Sequence, residues 1–184
     1  MIFSTAKKEQ EARLPSDAIL MSRLREGDLA AVEPLFQKYA SSLLALAAHI
    51  TGSKEDAEDI VQDVFVGLPV SARAYIEAGQ LERWLRRVTV RMCLMAMRRD
   101  RNRRQVGLDH VQPTDPSLRM LSQITLSEAV RNLPSTLRTV FVLKEIGHYT
   151  HAEIGSMLGI RPGTSEVRLF RAVRILRKIL KAST

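Results

Sequence analysis

The stretch LERWLRRVTVRMCLMAMRRDRNRR, residues 81–104, constrains this chain more than any other. Apolar residues recur at Leu81, Trp84, Leu85, Val88, Met92 and Met95, while Arg83, Arg87 and Arg91 step by four along another face, the spacing of an amphipathic α-helix. The segment holds nine arginines (Arg83, Arg86, Arg87, Arg91, Arg98, Arg99, Arg101, Arg103 and Arg104), interrupted only by Glu82 and Asp100. Most charged helix faces are merely solvated. A face so poor in compensating acid repels itself unless something anionic lies on it, and nucleic acid is the first candidate.

With 184 residues and 45% hydrophobic content, the chain suits one domain or two small ones with packed cores. Aromatic residues make up only 5%, and Ala, Leu, Arg and Glu dominate, so the expected fold class is all-α. The net charge of +8 hides an asymmetry. Residues 1–80 carry a balance of −4 and residues 81–184 a balance of +12, so an acidic half and a basic half call for different partners. The single cysteine, Cys93, excludes a disulfide framework and fits a reducing cytoplasm. Residues 1–13 lack the apolar core of a signal peptide, and no stretch approaches ~18 uninterrupted apolar residues. A cytoplasmic protein is expected.

Along the chain, residues 1–16 form a polar arm. Ser16 or Asp17 caps a short helix through Arg25, closed at Gly27, and Asp28 caps a longer one with an apolar stripe of Ala31, Leu35, Tyr39, Leu43, Leu46, Ala47 and Ile50. Pro34 either kinks this helix or marks its first turn. Ser53 caps the next helix, where Ala57, Ile60, Val61, Val64, Phe65 and Leu68 point inward and Glu55, Asp56, Glu58, Asp59, Gln62 and Asp63 form an acidic exterior. First-turn acids serve the helix dipole, but five within nine residues exceed that need, so a partner-binding face stands level with simple solvation. Pro69 is expected to end this helix, and a connector then leads to the arginine-rich segment.

Residues 105–120 read as a linker, polar and broken by Gly107, Pro113 and Pro116. The second domain, 121–184, opens with a helix carrying Leu121, Ile124, Leu126, Ala129 and Val130, followed by one that starts at Pro134 and ends at Gly147. In YTHAEIGSMLGIRPGTSEVRLF, Thr150 and Glu153 form a capping box, Gly159 takes a left-handed turn, and Pro162 starts a second helix. That is a helix-turn-helix. Its second helix carries Arg161, Arg168, Arg171, Arg174, Arg177, Lys178 and Lys181 against one acid, Glu166, which favours the DNA-binding version over a generic helical hairpin. His148 and His151 flank a helix start with nothing to complete a metal site, and neither a phosphate loop nor a nucleophile–base arrangement occurs. No catalytic residue, metal or cofactor is expected.

Taken together, LREGDLAAVEPLFQKYASSLLALA, GSKEDAEDIVQDVF and ERWLRRV, followed by LPSTLRTVFVLKEIGHYTHAEIGSMLGI and RLFRAVRIL, resemble a bacterial sigma-70-family initiation factor of the extracytoplasmic-function group. The match covers roughly residues 17–104 and 121–181 in family order. The resemblance implies two helical domains joined by a flexible linker. The first, 17–104, docks on core RNA polymerase and recognises and melts the minus-ten promoter element; the second, 121–184, reads the minus-thirty-five element. By the same resemblance, Asp56, Asp59, Gln62, Asp63 and Phe65 contact polymerase. Arg83, Arg87, Arg91 and Arg98 belong to the minus-ten side, and Arg161, Thr164, Glu166, Arg168, Arg171 and Arg174 lie on the DNA side of the helix-turn-helix. Trp84 aligns with a core position, and an anti-sigma factor is an implied partner.

The sequence departs from the family pattern in places. Pro69 stands where Trp is common, Arg91 where Asn is usual, and Met95 where Asp is common; Ser165 falls at a normally apolar position and Glu166 at a commonly basic one. A carboxylate at Glu166 repels phosphate but accepts from cytosine N4. The alternative is a stand-alone helix-turn-helix repressor or activator, which leaves the acidic and arginine-rich helices without a role.

Overall fold

The computed structural model describes residues 15–75, 80–106 and 125–182, with side chains described to residue 100 in the second span and to 181 in the third. Most of the N-terminal arm, residues 76–79 of the connector, most of the linker, and Leu121 and Ile124 lie outside them, as do the side chains of Arg101, Arg103 and Arg104. The described residues form helices and turns, with no strand among them.

The first group of helices comprises α1 (Asp17–Arg25), α2 (Val32–Thr51), α3 (Lys54–Val66), the single turn α4 (Leu68–Ser71) and α5 (Leu81–Val106). Local chemistry sets each boundary. Ser16 accepts from Ile19 N–H at the start of α1. Asp28 accepts from Ala30 N–H at the head of a 3-10 turn, Leu29–Ala31, that runs straight into α2. Pro34 therefore lies in the first turn of α2, where its missing N–H costs nothing. Gly52 closes α2 with φ of +81°, a left-handed conformation open to glycine. Ser53 then caps α3 by accepting from Asp56 N–H.

At the end of α3 the structure corrects the reading of the sequence. Val66 is the last residue of α3 and Gly67 its cap, so Pro69 does not end the helix but sits in the first turn of α4. Proline's fixed φ is suited to that place, and the chain turns one residue pair earlier than proline alone signals.

The stripes of α2 and α3 behave as their spacing dictates: Leu35, Leu43, Leu46 and Ile50 pack against Ala57, Ile60, Val61 and Val64, all buried. At roughly 1.5–3 kcal/mol per large side chain removed from water, this contact dominates the stability of the group. Helix α5 lies across both. Its inward face is Leu81, Leu85, Thr89, Val90 and Cys93, with the Thr89 hydroxyl satisfied by the Leu85 carbonyl at 2.9 Å. The expected stripe through Trp84, Val88 and Met92 is only half-buried, and Met95 is exposed, so the buried line runs about one residue further round the helix.

The second group comprises α6 (Leu126–Arg131), α7 (Ser135–Glu145), α8 (His151–Leu158) and α9 (Pro162–Ala182). Both capping boxes are complete: Thr125 with Glu128 opens α6, and Thr150 with Glu153 opens α8. Gly159, at φ +66°, turns the chain between α8 and α9. A Cβ at Gly155 would lie 2.7 Å from the Ile160 carbonyl, so that close approach requires glycine. Ala172 and Leu176 of α9 join Val140, Leu143 and Ile154 in the core, and α7 also packs along α2 of the first group.

Candidate nucleic-acid and polymerase interfaces

On α3, Asp56, Asp59, Gln62 and Asp63 are exposed, because the 3.6-residue repeat puts them opposite the buried Ala57, Ile60 and Val64. Phe65 differs from them. It is only 4% exposed and packs edge-on against Phe36 at 4.9 Å, so it can support this surface but offers a partner little area. Phe36 itself is 46% exposed, a feature that sequence patterning did not single out. Asp56 stands apart from the other acids, at the rim of a groove of about 600 Å³ between the two groups, lined by Met97, Arg98, Asp100, Arg138, Leu158 and Arg168 among others.

On α5, Arg83, Arg87 and Arg91 share one exposed face, and Met95 continues it one turn on. Arg86 is instead tied to Glu82 at 2.8 Å. Trp84, half-buried against the core, packs edge-on on Tyr75 with ring centroids 5.4 Å apart. Arg25 donates to the carbonyls of Ala72 (3.2 Å) and Tyr75 (3.0 Å), fixing the described part of the connector against α1.

Arg161, just before α9, and Thr164, Glu166, Arg171 and Arg174 on it are each exposed, whereas Arg168 is half-buried and lines the groove with Arg98. Val167 and Phe170 stand between these polar residues, 50% and 70% exposed, on a helix face where apolar side chains would normally be covered. Ser165 is fully buried, with its hydroxyl 2.9 Å from Nδ1 of His151. That pairing explains how a polar residue occupies an apolar position, and it gives His151 a partner that spacing alone did not reveal.

The arginine face of α5 is not empty. Glu153 Oε1 lies 3.8 Å from Arg83 Nη2 and 3.7 Å from Arg87 Nη2. Its carboxyl is held below the usual range chiefly by the backbone N–H and hydroxyl of Thr150, with help from Arg83 and Arg87. Arg98 Nη2 donates to the Met157 carbonyl at 3.2 Å. Among the described residues no cluster of metal-ligating side chains occurs, and no helix is long and apolar enough to cross a membrane.

An acidic helix face, an arginine-striped helix and a basic helix-turn-helix in one chain define a two-part nucleic-acid-binding transcription protein. The family models agree: Sigma-70 region 2 matches residues 35–104 and Sigma-70 region 4 matches residues 123–176. The chain is 30% identical over 166 residues to the ECF RNA polymerase sigma factor SigM of Mycobacterium tuberculosis, covering 90% of this chain and 85% of that one. It is 25% identical to the ECF sigma factor SigW of Bacillus subtilis, covering 88% and 95%. The structure of the sigma factor RpoE from Bartonella quintana, solved with the anti-sigma factor NepR, has the same fold, with a TM-score of 0.58 at 19% identity over 83% of this chain and 98% of that one. The protein belongs to the extracytoplasmic-function (ECF) family of RNA polymerase sigma factors.

Proposed function

We propose that this chain is the promoter-specificity subunit of a bacterial RNA polymerase, acting in the cytoplasm without catalytic chemistry of its own. The observation that carries the reading is the exposed α5 face of Arg83, Arg87 and Arg91, set in one body with the exposed acids of α3 and the basic recognition helix α9. Asp59, Gln62 and Asp63 meet core polymerase, with Asp56 at the edge of that surface and Phe65 behind it. A basic partner surface gains from this cluster in encounter rate more than in affinity.

The α5 arginines hold promoter phosphates next to the minus-ten element, and fixing the backbone there favours strands whose bases have left the stack. Arg98 continues that track. In the second domain the N-terminal end of α9 enters the major groove at the minus-thirty-five element. Arg161, Thr164, Glu166, Arg168 and Arg171 face the base edges, and Arg174 faces phosphate. Glu166 is suited to a cytosine N4 donor, which sets this reader apart from a uniformly basic one. The domain division at 17–104 and 121–184 follows from the same assignment, and an anti-sigma factor controls the subunit; the Bartonella sigma factor of similar fold is seen in complex with one.

The test is transcription in vitro with core polymerase on a randomised promoter library. Start sites that share a two-part motif and depend on this chain support the reading; transcription indifferent to the chain overturns it.

A further inference from the structure

Helix α5 begins at Leu81, so the way the chain is held just before it decides where the arginine stripe lies. The described part of the connector ends in a 3-10 turn, Ala72–Ala74, from which Tyr75 leaves in extended backbone with φ −74° and ψ 117°. So short a turn closes too few hydrogen bonds to fix that exit alone. Its own bond, from Tyr75 N–H to the Ala72 carbonyl, measures 3.3 Å. Arg25, the last residue of α1, reaches the same place from 47 and 50 positions away. Its Nε donates to the Ala72 carbonyl at 3.2 Å and its Nη2 to the Tyr75 carbonyl at 3.0 Å, and its Cζ lies 6.0 Å from the centre of the Tyr75 ring. Tyr75 is buried, and its ring meets Trp84 edge-on at 5.4 Å. Trp84 follows Arg83 directly and stands about one turn before Arg87. A continuous path of contacts therefore runs from the Arg25 guanidinium through Tyr75 and Trp84 to the part of α5 that carries Arg83 and Arg87.

We propose that Arg25 is a positioning residue for promoter opening. By bridging the Ala72 and Tyr75 carbonyls it sets the placement of Trp84, and with it the alignment of Arg83 and Arg87 on the separated strand. The role rests on the promoter-reading function above. It differs from that of a cation that merely adds to the DNA-binding charge. Arg25 is half-buried and its guanidinium is turned onto two backbone carbonyls, whereas Arg83, Arg87 and Arg91 are exposed. Bridging two acceptors uses the planar fork of arginine, which a lysine ammonium lacks. Attraction to duplex phosphates falls off slowly with distance and tolerates a displaced stripe, but holding an unstacked strand needs donors at hydrogen-bond distance. Arg25 thus governs opening and has little effect on first binding.

The experiment uses the full chain with core polymerase on a duplex bearing the strongest start site from the randomised library, and on the same DNA with a permanently unpaired segment at the start. Binding is read on the duplex at low temperature, and opening by permanganate reactivity of unpaired thymines. Arg25→Ala is expected to slow opening about tenfold through the loss of two charge-assisted hydrogen bonds. Duplex binding stays within about twofold of wild type, and transcription from the unpaired template stays close to it. Arg25→Lys, which keeps the charge and the stem but not the fork, slows opening about threefold; it is the variant read if circular dichroism shows Arg25→Ala unfolded. Trp84→Leu also slows opening, and adding Arg25→Lys to it causes no further loss, because both act along one path. Full rescue by Lys, an equal defect on both templates, additive losses in the double variant, or wild-type opening by folded Arg25→Ala overturns the role. A wild type that opens no promoter overturns the promoter-reading function itself, and the role of Arg25 with it.

Discussion

The Ser165 hydroxyl and Nδ1 of His151 face each other at 2.9 Å across the turn of the helix-turn-helix, and Ser165 is wholly buried. Removing one partner strands the other without water. His151→Ala is therefore expected to cost about 1–3 kcal/mol by leaving the Ser165 hydroxyl unsatisfied, whereas the double change Ser165→Val with His151→Leu is close to neutral. Urea midpoints of the three proteins check this; equal midpoints for wild type and His151→Ala refute it.

Asp59 and Asp63 are exposed and have no structural duty beyond solvation. Replacing both by Ala should leave thermal unfolding within about 0.5 kcal/mol of wild type. It should weaken core polymerase binding by roughly 0.5–2 kcal/mol, mostly through a slower, less salt-sensitive association. Surface plasmon resonance at two ionic strengths separates these effects, and unchanged polymerase kinetics would remove the acids from the docking surface.

On α9, Arg174→Ala tests the phosphate contact proposed for that side chain. Promoter binding should weaken by a similar factor on every sequence, and the slope of log K against log salt should fall by about one. Glu166→Gln should instead change which base is preferred at one position of the minus-thirty-five element. Binding competition with single-base promoter variants distinguishes the two; a sequence-selective defect in Arg174→Ala contradicts its assignment.

Burial pushes the Cys93 thiol up to about 12, so almost none of it is thiolate at neutral pH. Labelling with a disulfide reagent at pH 8 is expected to proceed only as fast as the first domain opens, and to become immediate in denaturant. Rapid labelling of the native protein would show that α5 is less well packed than it is here.

Glu153 titrates below the ordinary carboxylate range because Thr150 hydrogen-bonds its charged form, and Arg83 and Arg87 favour it further. A lowered folded-state pKa contributes stability that is complete above the unfolded value of about 4.3 and is lost as pH falls through the lowered one. Glu153→Gln should therefore flatten the acid limb of the stability curve below about pH 5 and leave the slope at pH 6–8 unchanged. Thermal unfolding across that range gives the answer.

Much of this protein was legible before folding because periodicity and capping are local. The stripes of α2 and α3 and the Thr150–Glu153 box needed only neighbours three or four residues away, and the proline and glycine of the α8–α9 turn are equally local signals. Pro69 misled because proline both stops one helix and starts another, and the choice depended on Gly67 preceding it. The buried line of α5 was displaced because apolar spacing does not say which of two adjacent faces meets α2 and α3. Spacing puts Phe65 on the inward stripe and only the family resemblance puts it among the polymerase contacts; in the fold it is buried against Phe36.

By itself the sequence determined the all-helical class, the segregation of acid from base, the helix-turn-helix and the arginine face of α5, each set by short-range chemistry. Only the tertiary structure decided what those groups meet. Arg138 bonding to the far end of α2, Glu153 reaching Arg83 and Arg87, and Ser165 pairing with His151 join residues from 14 to 88 positions apart, and such contacts are written in packing rather than in spacing.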